Sequence, residues 1–224
     1  MIDIVSEFAQ ERSSTFAPGE AAQIVIAWVA LSLALSVADI EGLFSGTGSL
    51  DYIAAAFIAT GTGFVLHEMG HKFVAMGRGY IAHFKIWTWG IALALVTAIV
   101  SQGQFIFGAP GAVYIAPATG LLSYEYATTQ RSEKRDNAVI SAAGPGTNLA
   151  FASLFLFLIF MLPTDGFWST VASYGFILNV GLGSFNMLPI PPMDGYKIFK
   201  GSIPLGLLIA LPLWAMFAYL FLLP

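Results

Sequence analysis

The stretch YIAAAFIATGTGFVLHEMGHKFVAM, residues Tyr52–Met76, holds no acidic or basic side chain before His67. A helix crosses the hydrocarbon core of a bilayer with about 20 such residues. Near its end stands His67-Glu68-Met69-Gly70-His71, an HExxH pentapeptide. On a helix His67 and His71 are one turn apart, so both imidazoles leave the same face and can grip one zinc ion. Glu68 stands beside them, where a carboxylate can take a proton from water activated by the metal. Chance is the plain alternative, and it produces such a pentapeptide about once in a thousand chains of this His and Glu content. Polar ligands this deep in apolar sequence also need a strong reason to be there.

Composition places the rest of the chain in a membrane as well. Of its 224 residues 57% are hydrophobic and only 10% charged, where soluble domains carry about 25% charged residues. A net charge of −4, scattered along the chain, gives nucleic acid no basic surface. The absence of cysteine excludes disulfides and thiolate metal sites. Residues 1–20 are polar and acidic and lack the basic start and apolar core of a cleaved signal peptide; residues 1–22 read as a cytoplasmic N-terminal segment. Residues 23–224 read as one membrane-embedded domain.

Further apolar runs flank Tyr52–Met76: Ile24–Ile40 before it, then Ala138–Leu162, Phe167–Leu188 and Ile203–Leu223, the last with a kink expected at Pro212. Between the second and third spans, Ile86–Val100 is too short to cross, and Phe105–Ile115 follows a turn at Ser101–Gln104. Its β-branched and aromatic residues with Gly and Pro predict an edge strand. The segment 86–115 is open to three readings: a re-entrant helix, a hairpin or two short crossings. Charge discriminates against a single crossing. If the segment enters and leaves on one face, all nine Lys and Arg fall on one side and Glu41, Asp51 and Asp165 remain on the other. The positive-inside rule then puts the basic side in the cytoplasm. The expected fold is an all-α polytopic membrane protein of about five transmembrane helices, with a membrane-embedded re-entrant segment carrying a short β-strand or hairpin. The expected N-terminus is cytoplasmic.

Two imidazoles leave a catalytic zinc short of a ligand, since such sites use three protein ligands and one open position. Position 77 is Gly77, and His83 lies in a short basic loop, His83–Lys85. Glu125 and Glu133 lie in polar sequence and read as solvated, as does the run Arg131–Asp136. Asp194 is better placed, at the end of the fourth span and on the same side as His67. It follows Pro189-Ile190-Pro191-Pro192, which cannot continue a helix, and irregular backbone at membrane depth survives only where it lines a cavity or is buried in protein. Capping of the stretch Gly195–Lys200 is its plain alternative. Gly144-Pro145-Gly146 reads as a close-packing surface, Asn148 as a buried amide in need of partners, and Asn186 as a donor toward a carbonyl under attack or a structural tether.

HExxH on one span, Ala143-Gly144-Pro145-Gly146-Thr147-Asn148 on the next, and Asn186-Met187-Leu188-Pro189-Ile190-Pro191-Pro192-Met193-Asp194-Gly195 downstream together resemble the site-2 protease family of intramembrane zinc metalloproteases. The resemblance covers Phe64 to about Lys200. It implies one Zn2+ per chain held by His67, His71 and Asp194, with Glu68 as general base. It also implies that Asn148 and Asn186 shape the site or contact substrate, and that the strand containing Gly108 and Gly111 receives an unwound substrate helix. Tyr196 stands where family members often have a second glycine, and no PDZ-like module is evident. The implied partners are transmembrane protein substrates within a lipid bilayer, in a multi-pass protein of a prokaryotic cell membrane. The rival readings are a prenyl-protein-type membrane zinc peptidase, which needs a downstream Glu ligand, and a non-catalytic metal-binding membrane protein, which tolerates loss of Glu68.

Overall fold

The computed structural model of the protein describes residues 15–46, 49–117 and 126–221. Helix α1 (Glu20–Leu35) meets α2 (Val37–Ser45) at a bend of 63°. The bend falls where Ser32 and Ser36 hydroxyls donate back to the carbonyls of Trp28 and Ser32, at 2.7 and 2.8 Å, a habit that bends helices. The first apolar run, expected as one span over Ile24–Ile40, is therefore a bent pair of helices, a broken span or a re-entrant loop.

The HExxH span is the 28-residue helix Leu50–Gly77. It comprises α3 (Leu50–Thr60), a π-helical turn (Gly61–Val65) and α4 (Leu66–Gly77). Gly61-Thr62-Gly63 favours such a turn, because glycine weakens the α-helix and π-turns carry one extra residue within a helix. Downstream come α6 (Tyr126–Met161), α7 (Phe167–Asn186), the short α8 (Asp194–Gly201) and α9 (Ile203–Phe221). Lys134–Met161 and Ile203–Leu220 pass as spans by length and apolarity. With Leu50–Gly77 this makes three candidate spans among the described residues, or four with the bent pair. Helix α7, expected as a span, has the length for one but carries Ser169, Thr170, Ser173, Asn179, Ser184 and Asn186, and it lies packed against α6 and α3. Arg131–Asp136, expected as a loop, belongs to α6. Glu125 lies outside the described residues, as does the side chain of Glu133.

The segment after α4 differs most from expectation. Tyr80–Ile86 forms strand β1, including the supposed loop His83–Lys85, and pairs antiparallel with β2 (Gly111–Pro117). The strand therefore begins six residues later than the expected Phe105. Between the strands run α5 (Thr88–Val100) and an extended return over Phe105–Pro110. Ile86 pairs with Gly111, so the excursion 87–110 leaves and returns at one point. Its 13-residue helix is about 20 Å long at 1.5 Å per residue, short of the about 30 Å of a hydrocarbon core.

Packing brings these pieces around α4 and α6. Ala55, Phe155, Val171, Phe176 and Val180 join α3, α6 and α7. Met187, Ile198, Ile209 and Leu213 seat α8 on α9 and the end of α7. Ile24, Ala27, Phe64, Met69 and Phe84 close α1 over α4 and β1. Arg78 at the end of α4 pairs with Asp136 in α6, and Lys134, Lys197 and Lys200 line one cleft between α6 and α8. These four cations therefore gather at one end of the molecule.

Candidate metal centre

His67 and His71 point from one face of α4 toward α6 and the start of α8, and all three side chains of the His67, His71, Asp194 group are largely enclosed. Their Nε2 atoms are 3.1 Å apart. Asp194 Oδ2 lies 3.0 Å from His71 Nε2 and 3.4 Å from His67 Nε2. Zinc bonds of about 2.0–2.2 Å in a tetrahedron set neighbouring donor atoms about 3.3 Å apart, so the triangle has the right size.

The protonation pattern points the same way. His71 Nδ1 donates to the carbonyl of Ile140 at 2.8 Å, and His67 Nδ1 to Asn148 Oδ1 at 2.6 Å. Each imidazole then presents a bare Nε2 lone pair to the other and to a carboxylate. Three acceptors converging without a proton repel one another, and a cation relieves this. Among the described residues these three are the group able to hold a metal. His83 lies elsewhere, its Nδ1 3.4 Å from Glu20 Oε2.

Glycines make the room. A Cβ on Gly144 would collide with His71 Nε2 and stand 2.6 Å from His67 Nε2, in the space between the donor atoms. Opposite it, a Cβ on Gly70 would lie 2.9 Å from Thr147 Oγ1 and 3.0 Å from the Ala143 carbonyl. Gly70 and Gly144 thus let α4 and α6 approach closely enough to share the site. Gly195 has the same purpose for the third ligand, since a Cβ there would strike the carbonyls of Met187 and Leu188. Asp194 is the first residue of α8 and the capping position falls to Met193, leaving the Asp194 carboxylate turned to the imidazoles.

Glu68 is buried at 9% exposure, and its Oε2 accepts from the backbone N–H of Val113 at 3.0 Å. Phe84, paired with Val113, likewise sends its N–H away from the other strand, to Glu20 Oε1 at 2.7 Å. The pair is therefore of the non-hydrogen-bonded kind, and the outer edge of β2 faces the site. Gly111 lies two residues along that edge. Gly108, at φ 151°, packs on α5, where a Cβ would meet Gly90 and Ala94. Asn186 sits in the last turn of α7 and donates to the Leu182 carbonyl at 3.0 Å. Asn148 is fully buried beside His67.

Two groups near the site carried no signal of this role in the sequence. Lys72, next to His71, is fully buried; its Nζ donates to Glu20 Oε1 and to the Ala82 carbonyl, both at 2.6 Å. The pair ties the start of α1 to α4 and β1. Asn179 of α7 bonds Asn148 at 3.1 Å.

Two histidines and an aspartate converging on one point, with a glutamate beside the first, form the donor set of a zinc metalloprotease. Comparison with known proteins agrees. Three curated relatives carry the printed name "Putative zinc metalloprotease". The first, MJ0611 of Methanocaldococcus jannaschii, is 34% identical over 191 residues, 85% of this chain and 93% of the relative. Rip2 of Mycolicibacterium smegmatis is 34% identical over 144 residues, 58% of this chain and 50% of its own. YwhC of Bacillus subtilis is 35% identical over 77 residues, 30% of this chain and 35% of its own. No family profile and no solved structure matches. The chain belongs to the zinc metalloprotease family of the M. jannaschii protein.

Proposed function

We propose that the protein is an intramembrane zinc endopeptidase of the site-2 type, which hydrolyses peptide bonds within or near transmembrane segments of other membrane proteins. The observation that carries this reading is a juxtaposition inside an apolar helical bundle. The His67, His71, Asp194 triangle, the Glu68 carboxylate and the outer edge of β2 lie together. His67 stands ten residues before the end of a 28-residue apolar helix, about 15 Å along it at 1.5 Å per residue. A surface peptidase has no use for such a setting.

His67, His71 and Asp194 hold one zinc ion, which when bound lowers the pKa of water toward 7 and polarises the scissile carbonyl. Glu68 accepts a proton from the attacking water and returns one to the leaving amine, so that one peptide bond and one water give a carboxylic acid and an amine. A helical substrate hides its peptide groups in its own hydrogen bonds. The outer edge of β2 between Gly111 and Ile115 offers backbone partners to a strand unwound from it. Gly108 shapes the return that presents this edge, and Asn186 lies at the end of α7 where the backbone unwinds toward Asp194. Lys and Arg gather on the cytoplasmic side, in a multi-pass protein of a prokaryotic cell membrane with about five crossings and its N-terminus inside.

The test is zinc analysis of the purified protein together with cleavage of a membrane-span peptide in liposomes. Glu68→Gln is expected to keep its zinc and to lose cleavage by a factor on the order of 10²–10⁴. Cleavage at the wild-type rate in Glu68→Gln removes Glu68 from the mechanism and the reading with it.

A further inference from the structure

Asn148 has no amide proton left to donate to a substrate. It is fully buried. Its Oδ1 receives His67 Nδ1 at 2.6 Å, and its Nδ2 donates to the Gly63 carbonyl at 2.8 Å and to Asn179 Oδ1 at 3.1 Å. Both amide protons and the oxygen lobe facing His67 are therefore engaged inside the protein.

The direction of each bond is forced from its far end. Asn179 Nδ2 donates to the Gly175 carbonyl at 2.8 Å and to Thr62 Oγ1 at 3.2 Å. A carbonyl only accepts, so the Asn179 amide must present its oxygen to Asn148. The Gly63 carbonyl makes the same demand on Asn148 Nδ2. Asn148 must then turn Oδ1 to His67, and an amide oxygen accepts only a proton from Nδ1. His67 therefore carries a proton on Nδ1, and its neutral ring is confined to the tautomer with a free lone pair on Nε2. The chain of constraint starts at two backbone carbonyls, Gly63 in the π-turn and Gly175 in α7. A small residue keeps it short: a Cβ on Gly183 would lie 2.9 Å from Asn148 Cβ.

We propose that Asn148 and Asn179 are positioning residues of the metal centre, a pair of amides that reads the polarity of two backbone carbonyls and imposes on His67 the tautomer able to bind metal. The proposal rests on His67, His71 and Asp194 being the ligands. Partners of this kind raise metal affinity on the order of 10–100-fold.

The experiment uses the full-length protein in detergent with 15N-labelled histidine. The metal-free wild type is expected to show His67 as a single Nδ1–H tautomer. Asn148→Leu is expected to show a mixture and to bind zinc, measured by chelator competition, on the order of 10–100-fold more weakly. Asn148→Asp retains the acceptor for His67 Nδ1 and is expected to keep the tautomer, at a cost in thermal stability because its second oxygen faces the Gly63 carbonyl and Asn179 Oδ1. Asn179→Leu leaves Asn148 in place but frees its amide to turn, so the affinity loss is smaller and in the same direction. A single Nδ1–H tautomer and wild-type zinc affinity in Asn148→Leu, with the loss confined to cleavage, overturn the proposal and make Asn148 a substrate contact. Failure of the wild type to bind zinc would instead sink the peptidase reading, while the metal-free tautomer of His67 still decides the question of the two amides.

Discussion

At the scale of single residues, the centre depends as much on missing atoms as on the ligands. Gly144 leaves open the space between two imidazoles that a methyl group would fill. Gly144→Ala is therefore expected to keep the fold, as a helix-favouring change in α6, yet to lose stoichiometric zinc, which metal analysis after gel filtration would show. Zinc content equal to wild type would mean that α6 can move away from α4 without harm. The Lys72–Glu20 pair carries the opposite risk. Both side chains are buried to 1% exposure or less, and removing one partner of such a pair costs about 3–5 kcal/mol. Lys72→Met is expected to lower the thermal unfolding midpoint markedly, with Glu20→Gln added to it recovering part of the loss. HExxH was legible from one turn of helix and Asp194 from the prolines before it. Lys72 was not, because a cation beside a span reads first as a topology signal, and its partner is 52 residues away.

At the scale of elements, the proposed function gives β2 the edge that receives substrate. Its Val113 N–H serves Glu68 rather than β1, so proline at 113 removes no bond between the strands and suits an edge position. Val113→Pro takes a hydrogen bond from the buried Glu68 carboxylate and is expected to slow cleavage of a membrane-span peptide at least about tenfold through a misplaced Glu68. Unimpaired cleavage would show that Glu68 does not need the Val113 N–H to keep its place. The strand's existence was legible from β-branched and aromatic residues between Gly and Pro. Its bounds and its partner were not. Residues 80–86 look like a basic loop until they meet a segment 25 to 37 positions later, and pairing of that range has no local signature. The bend between α1 and α2 escaped notice for a related reason. Apolarity runs unbroken through it, and the serine hydroxyls that bend the helix also occur in straight ones.

At the scale of the whole molecule, the meeting of Ile86 with Gly111 and of Arg78 with Asp136 sets the ends of α4 and the start of α6 together. The chain has no cysteine, so single cysteines can report on this directly. Cysteines replacing Arg78 and Lys200 are expected to react with a membrane-impermeant maleimide from one side of sealed vesicles, and one replacing Asp165 from the other. Labelling of positions 78 and 200 from opposite sides would refute the re-entrant arrangement of 87–110. The buried pair of Glu20 and Lys72 also has a consequence for biogenesis. Glu20 leaves the ribosome 52 residues ahead of Lys72, and also ahead of the Phe84 amide that completes its coordination. Until those groups arrive, the Glu20 carboxylate at the head of α1 has the Ala17 N–H but no cation to compensate its charge. On the proposed reading, α1 is therefore expected to reach its final place only once Lys72 of α4 and Phe84 of β1 have been made.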